Sequence, residues 1–299
     1  MKQRDRYLKG CVMVLLGVLM LMFGSCSPDL TKPSGSVGAG LPGIGTGSSG
    51  VSGSGGVSLE IEQFPASFWE GETYDAITLV LYNDQWHVIE DLEVKVSGVD
   101  RSLVSGLPDT LSAPKLNRAS VQAPGIGTIK LGAMHFHDLT GDYQARMNFL
   151  YCYSAVSSHT EQVCIPRIGE TSCQGSVSNN LDSNGPVSVR IDTIDFIGEK
   201  VRMTLRISNS NAGKAVNACF GRDDIAVDYS LDKVSLGADV GSCKPLQSEE
   251  YVLTNGETFV YCDFQRTSDD EYPTSLFVEL SYLYEQRASK DFLVKKALE

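Results

Sequence analysis

Thr78-Leu79-Val80-Leu81-Tyr82-Asn83 is the stretch on which the fold of this chain turns. From Ala76 to Tyr82 the run is apolar almost without a break around Thr78, as expected of a strand in a sandwich core. The pattern returns as Thr204-Leu205-Arg206-Ile207-Ser208-Asn209. A later stretch, Phe149-Leu150-Tyr151-Cys152-Tyr153-Ser154, returns as Leu280-Ser281-Tyr282-Leu283-Tyr284-Glu285. The offsets are 126 and 131 residues, so order and spacing both hold. The chain reads as a unit repeated once.

Strand-period alternation fills in the rest. Leu59 and Ile61 open the first half, Leu92-Glu93-Val94-Lys95-Val96 alternates, and Ile129, Leu131 and Ala133 mark another strand. Met147, Phe149, Tyr151 and Tyr153 share one face of the next, followed by Val163-Cys164-Ile165. In the second half Val187–Ile191 alternates, as do Val201, Met203, Leu205 and Ile207. Asn255-Gly256 supplies the two positive-φ residues of a type I′ hairpin turn, and Phe259–Phe264 leaves it. Leu276–Tyr284 and Phe292–Val294 complete the set, and no segment of comparable length has a helical period. The expected fold class is all-β: two tandem antiparallel sandwiches, 58–166 and 186–299, with residues 167–185 as linker. This arrangement resembles the immunoglobulin-like β-sandwich modules, of the bacterial cell-adhesion-related kind, found in archaeal and bacterial surface proteins. The resemblance implies a cell-envelope role and a seven-stranded topology, and nothing about a ligand.

The start of the chain addresses location. Lys2, Arg4, Arg6 and Lys9 precede an apolar core from Cys11 to Phe23, which is 13 residues long, and small residues lead into Cys26. This is the anatomy of a secretory signal peptide, since a bilayer-spanning helix needs about 20 residues. Phe23-Gly24-Ser25-Cys26 resembles the lipobox of prokaryotic lipoproteins, with Phe23 where an aliphatic residue is usual. The resemblance implies removal of residues 1–25 and a lipid on Cys26, which would anchor the protein to the outer face of a membrane. Residues 26–57 then form a tether. Between Pro33 and Val57 lie ten Gly, six Ser and two Pro with no charge, a composition that favours flexible coil spanning about 30 Å. Gly38-Ala39-Gly40-Leu41-Pro42-Gly43 matches a dinucleotide pattern only by composition, because no strand precedes it and Pro42 interrupts it.

Charge and cysteines narrow the partners. The chain carries 25 Lys+Arg against 37 Asp+Glu, and removing residues 1–25 takes the net charge from −12 to −15. That balance argues against nucleic acid, which needs a basic footprint, and against lying on anionic lipid. Beyond Cys11 and Cys26, six cysteines remain: Cys152, Cys164, Cys173, Cys219, Cys243 and Cys262. In an exported chain this reads as three disulfides; zinc is disfavoured because no close CxxC pair is present. Fifteen pairings are open. If domain one ends in a hairpin, Cys152 and Cys164 face each other across it. Cys243 and Cys262 flank the Asn255-Gly256 turn, and Cys173 with Cys219 is left by elimination.

Candidate sites are few. His135 and His137 point to one face of a strand and are permissive for a metal, but no third ligand can be named; His87 and His159 stand apart. Asp223-Asp224 and Asp269-Asp270-Glu271 are acidic loop runs without the spacing of a calcium loop. Trp69, Trp86, Phe68, Tyr74 and Tyr82 are read as sandwich core rather than a glycan platform. No nucleophile elbow is present, so the expectation is a protein without catalytic activity, cofactor or metal. The irregular stretch Val104–Pro124 is too long for an ordinary connection, and its Ala113–Pro124 part carries Lys115 and Arg118 without an acid. It is the expected contact surface for envelope proteins or surface glycans. The expected function is a lipid-anchored structural or adhesive module, the alternative a solute- or glycan-binding lipoprotein.

Overall fold

Alternating residues become strands, and the strands account for all the regular structure among the described residues. A computed structural model describes residues 56–173, 182–209, 212–221, 226–246 and 251–298. The first half contributes β1 (Val57–Glu62), β2 (Ser67–Trp69), β3 (Thr73–Tyr74), β4 (Thr78–Asn83) and β5 (Glu93–Ser97). There follow β6 (Val104–Ser105), β7 (Thr110–Ser112), β8 (Gly125–Lys130), β9 (Met134–Phe136) and the long β10 (Tyr143–Ile165). The second half contributes β11 (Asp182–Asn184), β12 (Val187–Ile197), β13 (Lys200–Asn209), β14 (Lys214–Val216), β15 (Ala226–Asp228) and β16 (Ser230–Leu236). It closes with β17 (Asp239–Val240), β18 (Ser242–Pro245), β19 (Val252–Thr254), β20 (Glu257–Gln265) and the long β21 (Tyr272–Lys295).

The organising element is the pairing of β10 with β21. The two run antiparallel without a register break from Tyr143↔Val294 to Ile165↔Tyr272. At about 3.3 Å per residue this ribbon is about 75 Å long. One face is buried along its length: Met147, Phe149, Tyr151, Tyr153 and Ala155, then Val163 and Ile165, on β10. On the same face of β21 lie Leu276, Val278, Leu280, Tyr282 and Tyr284, then Phe292 and Val294. First-half strands attach at one end, β5 to Asn148–Cys152 and β2 to Leu293–Lys295. Second-half strands attach at the other, β11 to Ser158–Thr160 and β16 to Leu276–Ser281. Each long strand therefore begins beside strands of its own half and ends beside strands of the other, all within one nine-stranded sheet. Pairing of β10 with β21 joins the parts of the chain on either side of residues 167–185, the stretch expected as linker.

Two further sheets belong each to one half: β1-β4-β8, and β12-β13-β20-β19-β15 with β18 on β20. Their buried residues, Leu79 and Leu81 in one and Met203, Leu205 and Val260 in the other, join the core built on the ribbon. A small sheet, β3-β9-β6, lies at the first-half end. There Phe68 sits among Phe64, Tyr74, Phe136 and Phe292, with ring centroids 4.6–5.3 Å away. Phe292 comes from the far end of the chain, so the first-half core is completed by residues more than 150 positions downstream.

The repeated segments occupy corresponding places. Thr78–Asn83 and Thr204–Asn209 are each flanked on both sides, β4 by β1 and β8, β13 by β12 and β20. Each ends on an asparagine whose Nδ2 donates to a carbonyl four residues on, Asn83 to His87 and Asn209 to Gly213, at 2.8 and 2.9 Å. The N–H of Val57, opening β1, donates to the Tyr153 hydroxyl, and that of Val187, opening β12, to the Tyr282 hydroxyl, at 3.0 and 2.9 Å. The segments Phe149–Ser154 and Leu280–Glu285 meet at their C-terminal ends, where Cys152–Ser154 pairs with Leu283–Glu285 and Tyr153 lies opposite Tyr284. An offset of 131 residues within an antiparallel pair is the signature of a local two-fold exchange centred on those tyrosines. The Asn255-Gly256 turn has the expected form, with both φ values positive at 54° and 78°.

The disulfides correct two expected pairings. Cys243–Cys262 forms, on directly opposed residues of β18 and β20. Cys152 pairs with Cys219, and Cys164 with Cys173. The expected Cys152–Cys164 bridge is impossible because both lie on β10, twelve residues and about 40 Å apart. No Gly, Pro, Asn or Asp stands between them to turn the chain.

Candidate functional site

Most residues singled out in the sequence have partners within the fold. The stretch Val104–Pro124 is not an irregular loop: it carries β6 and β7 and then lies alongside residues 85–92. Ile89 and Leu116 exchange both backbone hydrogen bonds, and Ala119 N donates to Gln85 O. Leu116 is fully buried. Lys115 pairs with Glu90, Nζ to Oε1 at 2.5 Å with both side chains exposed, so its charge is already matched. Arg118 remains exposed.

His135, on β9, and His137, just beyond its end, stack with ring centroids 6.2 Å apart and planes 25° from parallel. His137 Nδ1 lies 2.8 Å from Asp138 Oδ2, and among the described residues no third donor closes on both rings. His159 is buried on β10, with Nε2 3.3 Å from Glu161 Oε2. His87 serves through its carbonyl, which accepts from Asn83. Asp223-Asp224 and Cys26 lie outside the described residues. Asp269-Asp270-Glu271 is a clamp: Ile168 N donates to the Asp269 carbonyl at 3.1 Å, and Arg167 Nη2 to Asp270 Oδ1 at 2.9 Å. Glu271 lies near the sulfurs of Cys164 and Cys173, but those are bonded to each other and offer no thiolate.

The aromatics divide by depth. Phe68 is core, while Trp69 and Trp86 are 40 % and 51 % exposed. No ring contact joins the two tryptophans among the described residues, and Trp69 is covered by the Lys295 ammonium 4.9 Å from its ring centroid.

At the ribbon centre, the Cys152–Cys219 bridge covers the face turned away from the core. Glu285, directly opposite Cys152, is buried there and accepts from Phe220 N at 3.0 Å, with Lys214 Nζ 3.3 Å away. On the core side, Tyr153 and Tyr282 are strongly desolvated, and burial raises both phenols well above their ordinary value. Their hydroxyls hold β1 and β12 and stay protonated. Gly185 shows how tight this region is: its φ is +118°, and a Cβ there would stand 2.3 Å from Ser157 Oγ.

One recess combines charge with apolar surface, and sequence reading missed it. A cleft of about 800 Å³ lies between residues 168–171 and the β12–β13 hairpin tip, and Arg266 lines it. Ile168 and Ile197 are 43 % and 54 % exposed, and Phe196 presents its ring to the Arg266 guanidinium at 5.4 Å. The Cys164–Cys173 bridge closes the loop carrying Ile168, and the acidic clamp fixes that loop to residues 269–270. Arg266 Nε and Nη1 are out of contact with solvent and have no hydrogen-bond partner. One signal was available: Phe196-Ile197 stands immediately before the Gly198-Glu199 turn, an odd place for two large apolar residues. Arg266 itself carries no local pattern.

No family model matches the chain, and no curated protein matches it. Among solved structures it is similar to the E. coli chaperone DraB at a TM-score of 0.18 and 10 % identity, over 71 % of this chain and 87 % of that one. A likeness at that score carries no argument about this chain's fold or role.

Proposed function

We propose that this chain is an exported surface lipoprotein, held to a membrane by lipid on Cys26 and a Gly/Ser-rich tether, whose β-body is a structural or adhesive module. The disulfide set carries the reading. All six cysteines of the body are paired, and such bonds persist outside the reducing cytosol. The Cys152–Cys219 bridge and the continuous β10–β21 ladder also bind the two halves to each other, which suits a part that must resist being pulled open. The partners proposed are other envelope proteins or surface glycans, met through exposed segments such as the one carrying Arg118. A solute-binding role is the second reading, and the recess at Arg266 is the observation that favours it.

The test is metabolic labelling of the full-length chain in a bacterial host with an alkynyl fatty acid, followed by intact-mass analysis of the membrane fraction. The expected result is a labelled chain beginning at Cys26, with label and membrane retention both lost in Cys26→Ser. A membrane-bound chain that keeps residues 1–25, or a mature chain without lipid, refutes the anchoring.

A further inference from the structure

We propose that the cleft between residues 168–171 and the β12–β13 tip binds a small apolar carboxylate, with Arg266 holding the carboxylate and Ile168, Ile197 and Phe196 holding the apolar body. The inference goes beyond the adhesive reading and does not depend on it.

The argument starts from the guanidinium. An arginine is charged at any physiological pH and carries five N–H donors. Arg266 has no ion-pair partner among the described residues, and two of its nitrogens are buried without a hydrogen bond. The Phe196 ring face offsets part of the charge but accepts no N–H in the plane of the guanidinium. A guanidinium with two nitrogens buried and unpaired is costly in a folded protein, and a charge-assisted bond to an anion is stronger than a neutral one. The site is also held in place. Arg266 N donates to the Glu199 carbonyl at 2.9 Å, fixing the arginine to the hairpin tip, while the disulfide and the Arg167–Asp270 pair fix the opposite wall.

The walls define the rest of the ligand. Ile168 and Ile197 are among the few large apolar residues left open to solvent, and both border this recess. Its volume lies within the range of small-molecule sites. Two acids also line it, Asp195 and Glu170. Asp195 stands directly across the ladder from Arg202 and favours that residue's charge, so part of its field is answered there. Glu170 disfavours highly charged anions. A phosphate or sulfate ester is thus a poorer fit than a monocarboxylate with an apolar group.

The probes are 3-phenylpropionate, the neutral 3-phenylpropanol and the cationic phenethylamine, titrated at millimolar concentration into the full-length chain and followed by amide chemical shifts. The expectation is that 3-phenylpropionate shifts the amides of residues 168–171, 194–198 and 266, and that phenethylamine binds more weakly. Arg266→Gln should weaken 3-phenylpropionate by about tenfold while changing 3-phenylpropanol little. Ile197→Ser, at a position 54 % exposed, should weaken both probes alike. The proposal is overturned if the wild-type chain does not bind 3-phenylpropionate, if the shifts fall elsewhere, if Arg266→Gln affects the acid and the alcohol equally, or if Ile197→Ser affects neither.

Discussion

Replacing Phe292 by alanine tests the central architectural claim, because the residue lies seven positions from the end of the chain yet packs in the first-half core. Its ring centroid stands 5.1, 5.7 and 6.0 Å from those of Phe68, Phe64 and Phe136. It is 4 % exposed, so nearly the whole side chain leaves the core on substitution. Truncations of buried phenylalanine cost about 3–5 kcal/mol from lost transfer energy and the cavity left behind. Here the three ring neighbours, each held on a different segment, limit collapse into the gap and place the value in the upper half of that range. For a unit of this size each kcal/mol lowers the melting temperature by about 2–4 °C, so a fall of about 8–20 °C is expected. Thermal unfolding followed by circular dichroism gives the magnitude, and native-state hydrogen exchange gives the location. Protection should drop in β4, β8 and β9, far away in sequence, with Phe292→Leu recovering most of it. Loss of protection confined to β13 and β20, or a shift below about 2 °C, would refute the exchange of strand ends between the halves.

Three other outcomes are expected. Cys152→Ala with Cys219→Ala opens a loop of 67 residues and should cost about 4 kcal/mol, against about 2.5 kcal/mol for Cys164→Ala with Cys173→Ala, whose separation is 9; denaturant titration with non-reducing peptide maps checks both the ranking and the pairing. Tyr151, Tyr153, Tyr229, Tyr282 and Tyr284 are all held above the ordinary phenol value by burial, Tyr284 at about 12. A raised folded value means that stability is complete below the unfolded value near 10 and is lost as pH rises past it. Each such phenol then costs about 1.4 kcal/mol per pH unit. Tyrosinate absorbance should therefore rise in two stages, the second coinciding with loss of the strand signal; a single stage with the fold intact would contradict the burial. Finally, a chain starting at residue 56 should melt as the tethered form does, whereas one starting at residue 59 loses the Val57 contacts with Tyr151 and Tyr153 and should melt several degrees lower.

Much of this was readable from local pattern. The alternating runs became strands, Asn255-Gly256 became its hairpin, and the match of Thr78–Asn83 with Thr204–Asn209 marked two equivalent central strands. The errors share a source. Reading β10 as two strands put Cys152 and Cys164 on neighbours, although Ser154–Gln162 contains no Gly, Pro, Asn or Asp. Val104–Pro124 looked like a loop because its prolines broke the alternation, yet it pairs with residues 85–97 through backbone groups that no side-chain pattern reveals. Arg266 was invisible because a lone arginine acquires meaning only from the ring and the empty space beside it.

The division has a physical cause. A period of two, a turn that demands positive φ and an even set of cysteines are properties of short stretches or of composition, so they are written in the chain and survive any arrangement of it. The all-β class and the repeat belong to that kind. The choice of partners does not, because every strand offers the same N–H and C=O groups along its edges. That β21 runs back along the whole of β10, lending Phe292 to the first-half end of the core while β10 lends Val163 and Ile165 to the other end, was decided by which apolar faces could be buried together.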